Sequence, residues 1–251
     1  MTRIILRGCN GRMGQAITQL LQSDDKAQIV AGIDVAGLKK NDYPVFKTFK
    51  DCDVDADVII DFSSPDNLEE EFTYAKENNV PIVLCTTGLS DEQNQRVKEV
   101  SKDIAVLQSA NMSIGINMLL KVLKLTSKAL AESGYDIEIV EKHHNQKLDA
   151  PSGTALALAD VINEVLNNDY HYVYDRSTQR QKRDKKEIGM SVVRGGSIVG
   201  EHEVIFAGID EVIEFKHTAY SRNVFAKGAI SAAIFLANQK PGLYNMEDVL
   251  G

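Results

Sequence analysis

The amino-acid sequence predicts an α/β protein in two parts: a doubly wound parallel sheet and a second α+β domain with a mixed sheet. Three observations predict it. Short apolar runs of strand length alternate with helical patterns as far as Asn111. The first of these runs ends in a glycine-rich turn that leads into a helix. Beyond Asn111 the alternation gives way to a long helix and then to consecutive strands separated by turns. Strands covered on both faces read as continuous apolar runs, and their alternation with helices implies parallel pairing.

Residues 2–6 are the first apolar run, and 12–22 place Met13, Ala16, Ile17, Leu20 and Leu21 at helical spacing. Residues 28–33 and 57–61 are the second and third strands. Pro65-Asp66-Asn67 opens a helix whose first turns are rich in Glu, which suits the positive end of a helix dipole. Residues 82–85 form a fourth strand, 91–102 a helix and 104–107 a fifth strand. Residues 113–132 are one long helix, 136–140 an alternating strand and 152–166 another helix. Residues 169–186 are polar and basic, with Arg176, Arg180, Lys182, Arg183, Lys185 and Lys186, and read as a long exposed excursion. Residues 188–193, 200–207 and 211–217 are three strand-like runs with turn signals between them. Residues 223–238 form a last apolar helix, with Ala229, Ala232, Ala233 and Leu236 on one side.

A chain of 251 residues can bury one large core or two modest ones. Its net charge of -8 argues against a general nucleic-acid binder, which needs excess Lys and Arg, and against an anionic membrane surface as partner. The N-terminus carries no signal or transit peptide, and no stretch approaches the roughly 20 apolar residues of a membrane helix. The cysteines, Cys9, Cys52 and Cys85, are odd in number and lack C-x-x-C spacing, so neither a disulfide framework nor a metal site is expected. A cytoplasmic protein is the expectation.

Gly8-Cys9-Asn10-Gly11-Arg12-Met13-Gly14 lies between the first strand and the first helix. Gly8 would permit a tight turn, Gly11 would let the backbone approach a pyrophosphate, and Gly14 would let the helix pack on the strand. The helix N-terminus supplies N–H groups and the positive dipole end to the phosphates. Asp34 ends the second strand at the spacing expected of an acid that binds the adenosine ribose. The alternative is a purely structural turn with a strand-end acid facing water. An acid here repels a 2′-phosphate and Val35-Ala36-Gly37 follow it, which leans to NADH; Lys39 and Lys40 could still accommodate NADPH. Cys85-Thr86-Thr87-Gly88 after the fourth strand and Ser109-Ala110-Asn111-Met112 after the fifth could line the nicotinamide side of the same cofactor, or be ordinary loops.

The densest chemistry is Glu141-Lys142-His143-His144-Asn145-Gln146-Lys147-Leu148-Asp149-Ala150-Pro151-Ser152-Gly153-Thr154. Adjacent histidines without a nearby Cys or third His make a poor metal site. A histidine suits proton transfer near neutral pH, and Lys147 supplies a cation for a carboxylate, or a proton if burial lowers its pKa. Ser152 reads as a helix N-cap, so Gly153 and Thr154 would present donors to an anion. The competing reading is a polar surface loop. His171 falls in the polar excursion, His202 and His217 fall in or beside strands, Asp61 with Ser63 and Ser64 could cap a helix before Pro65, and Arg194 could reach an acidic ligand.

These residues carry a resemblance. The segments 8–14, Thr86-Thr87-Gly88, Asn111-Met112-Ser113, the H-H-x-x-K-x-D-A-P-S-G-T-A run from His143, Gly200-Glu201-His202 and the closing segment 242–250 together resemble the dihydrodipicolinate reductase family over nearly the whole chain. The resemblance implies a Rossmann-like dinucleotide-binding domain formed by 1–112 and 219–251, and a substrate-binding and oligomerisation domain formed by 113–218. It implies reduction of a cyclic dicarboxylate by NADH or NADPH in lysine biosynthesis by the diaminopimelate route, in a homotetramer joined through the sheets of the second domain and the loop 169–186. By resemblance His143 is the proton donor or acceptor, Lys147 a proton donor, and His144, Gly153 and Thr154 bind substrate. The cofactor would be held by Gly8 to Met13, Asp34, Cys85, Thr86, Thr87, Ser109, Ala110, Asn111 and Met112. The chain departs from the family at Cys85, where many members have glycine, and at Asp34-Val35, where some have an acid-arginine pair. Another two-domain dehydrogenase would share the glycine turn without needing the His143 segment, and a dinucleotide-binding regulator would need a partner surface that the acidic balance does not suggest.

Overall fold

A computed structural model describes residues 1–35, 41–109, 111–178 and 180–251. The chain divides into two compact units, residues 1–114 with 222–251, and residues 115–221.

The first unit alternates β1 (Thr2–Arg7), α1 (Arg12–Leu21), β2 (Ala27–Ile33), β3 (Val45–Phe46), β4 (Val58–Asp61), α2 (Leu68–Asn78), β5 (Ile82–Leu84), α3 (Asp91–Val100) and β6 (Ala105–Gln108). The second contains α4 (Ile114–Glu132), β7 (Asp136–His143), α5 (Gly153–Val165), β8 (His171–Val173), β9 (Glu187–Arg194), β10 (Gly200–Ala207) and β11 (Val212–Ala219). The chain then returns to the first unit as α6 (Asn223–Leu236), β12 (Gly242–Tyr244) and α7 (Met246–Leu250).

The first sheet has the order β12-β6-β5-β4-β1-β2-β3, and every pairing in it is parallel. Because successive strand residues point to opposite faces, Ile4 and Leu6 meet α1 and α6 on one side, while Ile5 meets α2 and α3 on the other. Both faces are dry, which is why the strands read as unbroken apolar runs. The strand order reverses between β1 and β4, so the loops after these two strands diverge and leave a crevice at their C-terminal ends.

The second sheet is mixed, in the order β11-β10-β7-β9-β8, with β7 parallel to β9 and antiparallel to β10. One face buries Ile137, Ile139, Ile188, Met190, Val204 and Phe206 with α4 and α5. Short β3, β12 and α7 escape the sequence reading because two to five residues show no periodicity.

The excursion at 169–186 is mostly exposed, as expected, but it is not structureless. It supplies β8 as an edge strand, and Arg183, only 17% exposed, bonds Glu138 at 3.0 Å and the Ile137 carbonyl at 2.6 Å. Arg176 pairs with Glu187 and Lys186 with Asp169. Arg176 and Arg183 are drawn onto the sheet by its acids, while Arg180, Lys182, Lys185 and Lys186 stay exposed.

Candidate active site

In the first unit the glycine turn stands at the β1/β4 reversal. Gly8 has φ +77°, and a side chain there would begin 2.6 Å from the Phe62 carbonyl oxygen, so only glycine lets the turn lie against the end of β4. The N-terminus of α1 has no side-chain cap, which leaves first-turn N–H groups to an anion. One Asp34 carboxylate oxygen accepts from the Asn10 N–H at 2.8 Å, fixing the acid beside the turn. A cavity of about 490 Å³ opens here, lined by Gly8, Asn10, Gly11, Asp34, Ser63 and Ser64 among others. That volume falls in the usual range for a small-molecule or cofactor site.

The expected cofactor residues fall into two groups. Gly11 and Arg12 are exposed and Met13 is half-buried at the open end of α1. The side chains of Cys9, Cys85 and Met112 are buried in the core, so these three can meet a ligand only through backbone. Thr86 is also buried: its hydroxyl donates to Asp61 at 2.8 Å, while Thr87 stays exposed. Ser109 donates to the Asn111 carbonyl, and the Asn111 side chain accepts from the Ser113 N–H, which shapes the bend after β6. Ala110, Lys39 and Lys40 lie outside the described residues.

Asp61 is not a helix cap. Wholly buried, it takes Arg7 at 3.2 Å, Thr86, and the Ser63 N–H, while α2 begins at Leu68 behind Asn67. Arg7 also reaches Glu71 at 2.6 Å. Burial, then the Asp61 charge, pushes the Glu71 pKa well above the usual carboxylate range despite Arg7. One cation between two buried acids is balanced when Glu71 keeps its proton.

In the second unit the site grows out of strand periodicity. Ile137, Ile139, Glu141 and His143 occupy one face of β7, so the apolar row ends in a carboxylate and an imidazole. His202 of β10 is the cross-strand neighbour of Glu141, and Arg194 of β9 is paired in register with His143. Glu141 Oε2 lies 2.6 Å from His143 Nδ1. Arg194 grips both Glu141 oxygens at 2.7 Å, and the Ser152 N–H donates to Oε1 at 2.9 Å. Burial alone would raise the Glu141 pKa, but the bonds from Arg194, His143 and Ser152 outweigh it and hold the carboxyl below its usual range. Burial pushes the His143 pKa below 6.5; Glu141 opposes this, and Lys147 and Arg194 add to it. The resting imidazole is therefore neutral, with its proton on Nδ1 toward Glu141. Nε2 makes no hydrogen bond among the described residues, and it lies 3.1 Å from where a Gly200 side chain would begin.

Ser152 caps α5: its hydroxyl accepts from the Ala155 N–H at 3.2 Å and also meets His202 Nε2 at 3.1 Å. Gly153 is exposed and, with Thr154, forms the first turn at the positive end of the helix. His144 Nδ1 is buried without a partner among the described residues. Lys147 is paired with Asp149 at 2.8 Å. The structure thus gathers His143, Glu141, Arg194, Ser152 and the start of α5 in one network, with the His144 and Lys147 loop leaving the same strand end. Arg194, read from sequence as a candidate for an acidic ligand, commits both Nη atoms to Glu141, while its Nε has no partner among the described residues. The roles of Glu141 and His202 went unread; the available signal was Glu141 in phase with Ile137 and Ile139, because a charge on a core face requires partners.

Two family models match the chain: the N-terminal part of dihydrodipicolinate reductase over residues 2–112 and its C-terminal part over residues 115–250. A 4-hydroxy-tetrahydrodipicolinate reductase of Clostridium novyi (strain NT) is 52% identical over all of this chain and 98% of its own length. The enzyme of the same name from Caldanaerobacter subterraneus subsp. tengcongensis is 50% identical over all of this chain and 98% of its own. The dipicolinate-bound dihydrodipicolinate reductase of Paenisporosarcina sp. TG-14 superposes with a TM-score of 0.78 at 26% identity, over 98% of this chain and 97% of that one.

Proposed function

This chain belongs to the dihydrodipicolinate reductase family, and from that premise we propose how its residues carry the reaction. It reduces 4-hydroxy-tetrahydrodipicolinate, by way of dihydrodipicolinate, to tetrahydrodipicolinate with a nicotinamide cofactor, in lysine biosynthesis. The observation that carries the assignment of roles is the buried Glu141–His143 bond, 2.6 Å long, beside the capped start of α5.

Gly8, Asn10, Gly11 and the open end of α1 hold the cofactor's pyrophosphate, and Asp34 takes the ribose hydroxyls. Cys9, Cys85 and Met112 contribute backbone only, as does Thr86, whose hydroxyl is committed to Asp61. When bound, the reduced nicotinamide supplies a hydride from its C4. Gly153 and Thr154 at the start of α5 bind one substrate carboxylate through N–H and hydroxyl donors, with His144 and Lys147 beside them. Preorganised positive charge there stabilises the electron density that moves toward the ring nitrogen as hydride adds. His143 handles the proton at Nε2. It is neutral at rest, and the negative charge of a bound dicarboxylate raises its pKa toward the imidazolium that donates. Lys147 is the second proton source, its ammonium kept in place by Asp149.

Asp34 without a following arginine favours NADH over NADPH. The outer face of the second sheet, where Val140, Val193 and Ile205 alternate with Lys142 and Glu201, supports assembly as a homotetramer. Among the described residues no helix is long and apolar enough to cross a membrane, and a cytoplasmic enzyme fits the chemistry.

The test is oxidation of NADH and of NADPH by the purified protein with freshly generated 4-hydroxy-tetrahydrodipicolinate. Faster turnover with NADH, with Asp34→Ser raising the relative rate with NADPH, is the expected result. Equal rates that Asp34→Ser leaves unchanged would remove Asp34 from cofactor selection.

A further inference from the structure

We infer that Glu141, clamped by Arg194, is the positioning residue that holds His143 with its proton on Nδ1, leaves Nε2 as the nitrogen that exchanges a proton, and pins the start of α5 with the same carboxylate. The inference rests on the proton-carrying role of His143 given above.

The carboxylate is 1% exposed and receives four donors, two on each oxygen: Arg194 Nη1 and His143 Nδ1 on Oε2, Arg194 Nη2 and the Ser152 N–H on Oε1. Such an oxygen pair has no capacity left for substrate, so Glu141 acts only through what it holds. Arg194 already neutralises it, so the imidazole need not be charged to satisfy the pair. The groups facing the ring are Glu141 on its own strand, Arg194 from β9, His202 from β10 with ring centroids 5.1 Å apart, and Lys147 from the following loop. Glu141 is the only one of these four whose charge favours the imidazolium. Burial has the largest influence on where His143 titrates; the charge of Glu141 opposes it, Lys147 and Arg194 add to it, and the two-point grip on Glu141 sets which nitrogen is bound. An ion pair that served stability alone would need neither the His143 contact nor the Ser152 one.

The test uses the full chain labelled with ¹⁵N-histidine, following the His143 ring nitrogens against pH together with the pH profile of kcat. Glu141→Gln removes the favourable charge. The His143 titration should move down and its tautomer preference should weaken. kcat should fall by no more than the roughly 10²–10⁴-fold that an acid–base group contributes, with KM for NADH unchanged. Arg194→Gln removes the opposing charge, and the titration should move up. Shifts in opposite directions support the inference, whereas shifts in the same direction, or none in either variant, overturn it. Should Glu141→Gln fail to fold, Arg194→Gln decides alone: an upward shift supports the inference and no shift overturns it. The two levels of reading separate as well. A fully active His143→Gln would sink the proton role of His143, while an inactive His143→Gln with an unmoved titration in the other two variants would sink only the part given to Glu141.

Discussion

Replacing Gly14 by alanine sets two effects against each other. Alanine is favoured over glycine inside a helix by up to about 1 kcal/mol. Against this, a Cβ at Gly14 would stand 2.3 Å from the Gly8 carbonyl oxygen and 2.6 Å from both the Cα and the carbonyl oxygen of Cys9. All are backbone atoms of the turn, and the turn cannot retreat toward β4, because the Phe62 carbonyl already lies 2.6 Å from the side-chain position of Gly8. Overpacking of a dense site costs about 1–3 kcal/mol, and contact this close with three backbone atoms belongs at the upper end. The net expectation is destabilisation by about 2 kcal/mol, which at 2–4 °C per kcal/mol lowers Tm by roughly 4–8 °C. The displaced turn should also weaken NADH binding tenfold or more, equivalent to about 1.4 kcal/mol. Thermal unfolding by circular dichroism and a fluorescence titration with NADH measure the two effects. Gly153→Ala is the control for stability, since a side chain there meets nothing within 4 Å. A Gly14→Ala protein that melts at or above the wild type and binds NADH as tightly would refute the claim that backbone contact holds this turn.

Three further outcomes follow from the same geometry. His143→Gln should lower kcat by about 10²–10⁴-fold while leaving the NADH dissociation constant unchanged, and a change confined to NADH binding would contradict the assignment. Because burial and the Asp61 charge raise the Glu71 pKa well above the usual carboxylate range, Glu71→Gln should cost less stability than Arg7→Met, which should cost about 3–5 kcal/mol by leaving buried carboxyls without their cation; equal losses measured by urea unfolding would contradict that reading of the cluster. Burial, with His143 adding to it, pushes His202 down to about 3 from 6.5, so the unfolded chain binds a proton between these values that the native chain does not. Stability from this group is complete above pH 6.5 and is lost as pH falls toward 3, by roughly 3–5 kcal/mol in all. Urea unfolding at several pH values should show that acid limb flattened in His202→Gln, and identical pH slopes would exclude His202 as its source.

Much of the architecture was legible because its causes are local. Continuous apolar runs of four to seven residues, rich in Ile and Val and bounded by glycine and polar turns, fit strands dry on both faces, and their alternation with helical patterns indicated the parallel unit. The change to alternating runs after Asn111 marked the mixed sheet. The glycine spacing from Gly8 to Gly14 announced a strand-to-helix turn, since each glycine answers a contact within a few residues or at the end of a neighbouring strand. The Ser152 cap was readable for the same reason: its bond to Ala155 spans three residues. The pairing of His143 with Lys147 as candidate chemistry needed only their density in one segment.

What the sequence alone could not decide is which charged group each site residue meets. Glu141 and Arg194 are 53 residues apart, and only the parallel register of β7 with β9 brings them together. Arg7 finds Asp61 and Glu71 at separations of 54 and 64 residues because β1 lies beside β4 and α2 packs across them. The same holds for Thr86: a polar side chain in a loop after a strand suggests a ligand contact, and its hydroxyl was instead taken by a buried acid that no local pattern places nearby. A buried charge is tolerated only with partners, and those partners come from strands joined by crossovers rather than by neighbouring sequence. Periodicity thus determined which face each residue occupies, and the tertiary register determined whether that residue is a free chemical group or a fixed one.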